Sequence, residues 1–90
     1  MSQVNHARIL DEPPQSASIT DYDREHFKLL MRLADAEDDG APWQEAVRII
    51  LGIDAESDPD RARHIHESHL ARARWLIENG CDHLRRQSLH

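Results

Sequence analysis

The sequence predicts an all-α fold, a small helical domain with three main helices and a short C-terminal helix. Apolar residues recur every three or four positions through most of the chain, and no segment alternates apolar and polar residues as a half-buried strand would. A glycine or proline stands at most of the expected helix boundaries. The 90 residues are 39% hydrophobic and 4% aromatic, so we expect one domain with a modest aliphatic core.

Residues 1–18 are predicted to form a disordered N-terminal tail. They contain Pro13-Pro14 and many polar residues, and their few apolar residues follow no period. Such a segment buries too little apolar surface to offset the entropy lost on ordering. The helical domain is therefore predicted over residues 19–87.

The first helix is predicted to begin at Thr20, because Thr20 and Asp23 are spaced as in a capping box. Gly40 is its predicted end. Its buried face is expected to comprise Tyr22, His26, Leu29, Leu30 and Leu33, widened by Phe27, Met31 and Ala34.

Pro42 suits the first turn of a second helix, which Gly52 should end. The connection at residues 53–58 is long for a tight helix-turn-helix. The apolar stripe of the second helix is Trp43, Ala46, Val47, Ile50 and Leu51.

The third helix is predicted to start at Asp58-Pro59, an N-cap followed by proline, and to run to Asn79. Gly80 should end it, and residues 81–87 are expected to add the short fourth helix. The predicted buried stripe is Ala62, Ile65, His69, Leu70, Ala73, Leu76 and Ile77.

The charge distribution favours a macromolecular partner. The formal net charge is −6, the wrong sign for non-specific attraction to nucleic acid. Residues 1–58 hold thirteen acidic and five basic residues, whereas residues 59–90 hold four acidic and six basic residues. No apolar run is long enough for a membrane span or a secretory signal, so we expect an intracellular, cytoplasmic protein.

We expect no enzyme, no cofactor and no metal site. No serine stands in a nucleophile motif, and the glycines lie at helix ends rather than in a phosphate loop. Of the clustered histidines, His66 and His69 are neighbours on a helix, but His64 points about 200° away from His66. One packed histidine and several solvated ones are predicted, and the single cysteine, Cys81, excludes an internal disulfide.

Arg61 and Arg63 are the candidate DNA-binding residues, since they lie near the start of the helix that would enter the major groove. Arg63 can pair with Glu67 four positions later, which would neutralise part of this charge. The same region is also rich in carboxylates that would face DNA phosphates with the wrong sign: Asp54, Glu56, Asp58 and Asp60.

Four motifs occur along the chain: Tyr22-Asp23-Arg24-Glu25-His26, Leu51-Gly52-Ile53-Asp54, Arg61-Ala62-Arg63 and His69-Leu70-Ala71-Arg72-Ala73-Arg74-Trp75-Leu76. In the same order, they resemble the RovC-like DNA-binding domain family, which is encoded on proteobacterial integrative and conjugative elements. The resemblance covers roughly residues 19–86. Cys81-Asp82 departs from it, because many relatives are expected to carry an aromatic and a basic residue there.

The resemblance implies an extended-turn helix-turn-helix, in agreement with the long connection at residues 53–58. It also implies that larger members are transcriptional activators in which this domain follows a second, N-terminal domain. Free-standing acidic members are implied to be antiactivators that compete for that companion domain and so repress transfer of the element. A quorum-sensing activator of the LuxR type is a second implied target.

We therefore predict a monomeric antiactivator that binds a transcriptional activator by protein–protein contact. The alternative is a small helix-turn-helix regulator that binds DNA. The expected docking surface combines exposed positions of the first helix with the later part of the third, where a partly exposed Trp beside an Arg would make a typical interface anchor. Its residues are Asp23, Arg24, Phe27, Arg72 and Trp75.

Overall fold

In the computed structural model, residues 9–80 are described, and this part of the chain is mostly helical and contains no strand. The predicted all-α class is confirmed for these residues. Residues 1–8 of the predicted tail and the predicted helix at 81–87 lie outside them. The elements are α1 (Asp21–Glu25), α2 (Phe27–Asp38), α3 (Trp43–Ala46) with a following π-helical turn (Val47–Leu51), and α4 (Pro59–Trp75) with a second π-helical turn (Leu76–Gly80).

The first helix begins as predicted, but it is interrupted. The Thr20 hydroxyl accepts a hydrogen bond from the Asp23 backbone N–H, and the Asp23 carboxylate accepts one from the Thr20 N–H at 2.8 Å. His26 leaves helical geometry with φ −109° and ψ 17°, so that α1 and α2 are separate. Both the backbone nitrogen and the ring Nδ1 of His26 lie 3.0 Å from the Tyr22 carbonyl oxygen. These contacts stabilise the turn between α1 and α2.

The predicted boundaries of the other helices are set by local chemistry. Gly40 and Gly52 adopt positive φ angles of 82° and 71°, a conformation that stops a helix and that other residues rarely adopt. Pro42 is the N-cap of α3 rather than a residue of its first turn. Asp58 caps α4 by accepting from the Arg61 N–H, and Pro59 is the first helical residue.

The apolar core includes two small clusters that meet α4 at different positions along its length. The first cluster joins α2 to the end of α4 and the π-helical turn that follows it. Its buried residues are Leu30, Ala34, Ala73 and Leu76. The second cluster joins the π-helical turn after α3 and the connection before α4 to the start of α4. Its buried residues are Val47, Ala55 and Ala62.

The prediction that Ile77 belongs to the core is wrong, because 42% of its surface is exposed. Ile77 lies in the π-helical turn Leu76–Gly80, where hydrogen bonds run from i to i+5. Leu76 is buried in the cluster with Leu30, Ala34 and Ala73, whereas Ile77 lies at the edge of the stripe, on the same side of the helix as the half-buried Leu70.

Residues 9–18, which we call the strap, lie against α4, although the sequence predicted a disordered tail there. Pro13 is fully buried, and Asp11 and Glu12 contact side chains of α4. These anchors are mostly polar and join residues about 50 positions apart. The spacing of apolar residues along the sequence does not indicate such contacts.

A buried ion pair connects α1, α4 and the strap. The Arg72 guanidinium donates to both carboxylate oxygens of Asp23, at 2.9 Å and 2.6 Å, and to the carbonyl oxygens of Ser16 and Ser18 at 2.8 Å and 2.9 Å. Arg72 is 4% exposed and Asp23 is 1% exposed. Burial raises the pKa of Asp23, but the hydrogen bonds from Arg72 and Thr20 outweigh it, so the pKa lies below its ordinary value.

Replacing Arg72 with methionine should lower the free energy of unfolding by about 3 kcal/mol or more, because the Asp23 carboxylate would stay buried without its partner. Chemical denaturation at pH 7, followed by circular dichroism, measures this loss. The matched control is Arg74→Met, which removes an exposed ion pair with Asp38 and should change stability little. Equal losses in the two variants would contradict the assignment.

Candidate interaction surfaces

The turn before α4 and the first turn of α4 form an acidic surface, which we call the acidic turn. Asp54, Glu56, Asp58 and Asp60 are all exposed, as their predicted role requires. Asp54 accepts hydrogen bonds from the Glu56 N–H at 2.9 Å and from the Ser57 hydroxyl at 2.7 Å, and these bonds keep its pKa below the ordinary value. The carboxylates of Asp54 and Asp58 therefore stabilise the backbone of the turn by hydrogen bonds and also give the turn negative charge.

Both arginines of the DNA-binding alternative are paired with carboxylates. The Arg61 guanidinium donates to Asp11, with the shortest contact at 2.8 Å, and this interaction raises the pKa of Arg61 and lowers that of Asp11. Arg63 donates to Glu67 at 2.9 Å, which confirms the predicted i, i+4 pair. The structure therefore places two ion pairs where a DNA-reading helix would present free cations.

The strap and α4 share further polar contacts. His64 Nε2 lies 2.9 Å from the Glu12 carboxylate, and the Ser68 hydroxyl donates to the carbonyl oxygen of Asp11 at 3.0 Å. The sequence analysis missed Asp11, Glu12, His64 and Ser68 as contact residues. The available signals were the Asp-Glu pair before two prolines and the shared helix face of positions 61, 64 and 68.

A second polar link joins α1 to α4 through the half-buried ring of Tyr22 and the buried ring of His69. The His69 Nδ1–H donates to the Ile65 carbonyl at 2.8 Å, so Nε2 is left as the acceptor for the Tyr22 hydroxyl at 2.6 Å. The Leu10 N–H in turn donates to the Tyr22 oxygen at 3.0 Å. Burial lowers the pKa of His69 and raises that of Tyr22, so both side chains are neutral at pH 7.

The structure corrects the predicted docking surface. Asp23 and Arg72 are buried and engaged with each other, because a charged pair between two helices can lie in the core when its hydrogen bonds are satisfied. Arg24 is exposed and pairs with Asp21 at 3.1 Å. Phe27 and Trp75 are half-buried, and each packs against the cluster of Leu30, Ala34, Ala73 and Leu76.

Trp75 also lines a groove beside the strap. The Arg72 guanidinium carbon lies 4.1 Å from the centroid of the Trp75 ring, within the range of a cation–π contact. The groove measures about 390 Å³ and is lined by Gln15, Ser16, Ala71, Arg72 and Trp75. Trp75 thus has one face on Arg72 and lies at the rim of an open concavity.

The prediction of one packed histidine in the cluster is wrong, since both His66 and His69 are buried, whereas His26 is buried as predicted. Among residues 9–80, no group of three or more His, Cys, Asp or Glu side chains is arranged to hold a metal ion. Within the same residues, no helix combines the length and the hydropathy that crossing a membrane requires.

No known protein family has a model that matches this chain, and a search of curated proteins finds no match either.

His66→Leu should make the fold less sensitive to mild acid. His66 is 4% exposed, and its Nδ1 has no hydrogen-bond partner among the described residues. Burial lowers its pKa in the folded state, so the unfolded state takes up the proton first, and stability is lost as the pH falls below about 6.5. Leucine has a similar size and removes an unsatisfied polar atom, so stability at pH 7.5 should be unchanged or higher.

Urea midpoints of wild type and variant at pH 7.5 and pH 5.5 measure this effect. The wild type should lose more stability than His66→Leu between the two pH values. An equal loss would mean that His66 does not contribute to the acid sensitivity.

Proposed function

We propose that this chain is an antiactivator, a single-domain protein that binds a transcriptional activator and blocks it by protein–protein contact. The observation that carries the proposal is the charge of the acidic turn and of the adjoining start of α4. Four exposed carboxylates lie there, and Arg61 and Arg63 are each held by a carboxylate of the same chain. A DNA backbone at this surface would meet charge of its own sign.

The resemblance to the RovC-like family supplies the proposed architecture and target. In this proposal, α3, the connection from Gly52 to Asp58 and α4 correspond to an extended-turn helix-turn-helix. The target is the N-terminal companion domain of a paralogous activator encoded on the same element, with a LuxR-type activator as a second target. The protein acts in the cytoplasm, as a monomer and without chemistry, so its effect depends on affinity and concentration.

The contacts between two of the motifs explain how the packing of such a domain could persist without DNA binding. Tyr22 and Asp23 of the first motif contact His69 and Arg72 of the last motif, and all four are buried or half-buried. The motif residues therefore hold α1 against α4. The charge of the acidic turn can vary independently of them.

The proposed docking surface retains Arg24, Phe27 and Trp75 of the five predicted residues. Phe27 and Trp75 are half-buried on one cluster, and aromatic residues that combine a rigid ring with partial exposure are common interface anchors. Arg24 is exposed on α1 and supplies a polar contact at the edge of this surface.

The purified wild-type chain should bind the activator and leave promoter DNA of the element unshifted at both 50 and 200 mM salt. Trp75→Ala should weaken activator binding at least tenfold in a titration, as expected for an anchor residue. The control is Ile49→Ala, which truncates a 63%-exposed apolar residue outside the proposed surface and should bind like wild type. Specific, salt-sensitive DNA binding by the wild type would instead favour the helix-turn-helix regulator.

Reversing charge in the acidic turn should create DNA affinity if this region corresponds to the reading surface. Glu56→Lys with Asp60→Lys should raise affinity for a duplex at low salt at least tenfold over a control with the same net charge. That control, Glu25→Lys with Asp35→Lys, changes exposed acids of α1 and α2. Equal affinities in a mobility shift would show that the acidic turn has no special position relative to DNA.

A further inference from the structure

The strap contacts a single face of α4 from its first turn nearly to its end. The α4 residues involved are spaced by three, four and four positions, so they form one stripe along the helix. Each meets a carboxylate or a backbone carbonyl of the strap. The stripe consists of Arg61 on Asp11, His64 on Glu12, Ser68 on the Asp11 carbonyl, and Arg72 on the Ser16 and Ser18 carbonyls.

The two ends of the strap are held differently. Ser16 and Ser18 are held by the buried Arg72, which also binds Asp23. Asp11 is held by an exposed ion pair with Arg61 and Glu12 by an exposed hydrogen bond with His64, with side chains more than half exposed, and such surface contacts contribute little to stability. The first part of the strap is therefore the part that can leave α4 while the second stays in place.

The chemistry of the stripe is that of a peptide site. An arginine and an imidazole contact two consecutive acidic residues, a hydroxyl donates to a backbone carbonyl, and Pro13, which follows the two acids, is fully buried. A Pro-Pro segment is stiff, so it loses little conformational entropy when it is held in extended form. These features recognise a short acidic segment that contains proline.

We propose that this stripe of α4 is a binding site for an extended, acidic, proline-containing peptide of a partner protein, and that the strap occupies it in cis. Displacement of residues 9–15 opens the site. A peptide fits better than a nucleic acid, because the N-cap Asp58 and the α4 residues Asp60 and Glu67 lie near Arg61 and His64 in the sequence and would repel a continuous polyanion. This inference is independent of the antiactivator proposal.

The test uses the full chain with Asp11→Lys and Glu12→Lys, in which like charges detach the strap from Arg61. The probe is a fluorescent synthetic peptide with the sequence of residues 9–15, the part of the strap that leaves the site. It should bind this variant at least tenfold more tightly than the wild type, because the tethered wild-type strap competes at a high effective concentration. The control variant Glu25→Lys with Asp35→Lys carries the same net charge and should bind the peptide like the wild type.

Further measurements test the specificity of binding. We call the chain with Asp11→Lys and Glu12→Lys the released variant. A peptide carrying the same two lysines should not bind the released variant. The charge swap Asp11→Arg with Arg61→Asp should restore the closed strap and bring affinity for the unmodified peptide back to the weak wild-type value. Amide hydrogen exchange should rise in residues 10–15 of the released variant and stay unchanged in α4.

Three outcomes would overturn the proposal. Equal peptide affinity for the released variant and the wild type would show that no site opens. Equal binding of the lysine peptide would show that the carboxylates are not recognised. Tighter binding of a DNA duplex than of the peptide by the released variant would show that the stripe reads phosphates, whereas failure of activator binding alone would leave this site intact.

Discussion

The ion pair between Arg72 and Asp23 is the interaction on which the rest of the structure depends. The Arg72 guanidinium makes two hydrogen bonds to the carboxylate and one each to the carbonyls of Ser16 and Ser18. A charge can remain buried when its hydrogen bonds are satisfied in this way. Removing one partner of the pair leaves the other charge buried without compensation, which lowers the stability of the fold. Arg72 belongs to α4 and contacts both α1 and the strap. Its side chain therefore fixes the positions of α1 and the strap on α4.

The core explains why such polar contacts matter. Its apolar clusters are small and built from aliphatic side chains, so they leave considerable freedom in how α1 is placed on α4. The hydrogen bond between Tyr22 and His69 and the pair between Asp23 and Arg72 remove that freedom, because each works in one geometry only. Burial lowers the pKa of His69, and hydrogen bonds lower that of Asp23, so acid opposes both links.

The sequence was sufficient for features set by neighbouring residues and insufficient for features set by distant ones. The capping box at Thr20, the stops at Gly40 and Gly52 and the cap at Asp58 depend on local hydrogen bonds or a local φ angle, and all were predicted. The burial of Arg72 was not, because a helical period assigns charged residues to solvent and its partners lie about 50 positions away. The strap was missed for the same reason.

The acidic turn and the strap both make the surface at the start of α4 less positive. The acidic turn gives the start of α4 a negative surface through exposed carboxylates, and the strap removes the free charge of Arg61 by adding Asp11. Opening the strap would return Arg61 and His64 to solvent, but the carboxylates of the acidic turn would remain. The molecule would then offer one arginine and one imidazole surrounded by acidic residues, which suits one or two carboxylates of a peptide and opposes the regular phosphates of a duplex. Both states of the strap therefore favour a protein as the partner of this face.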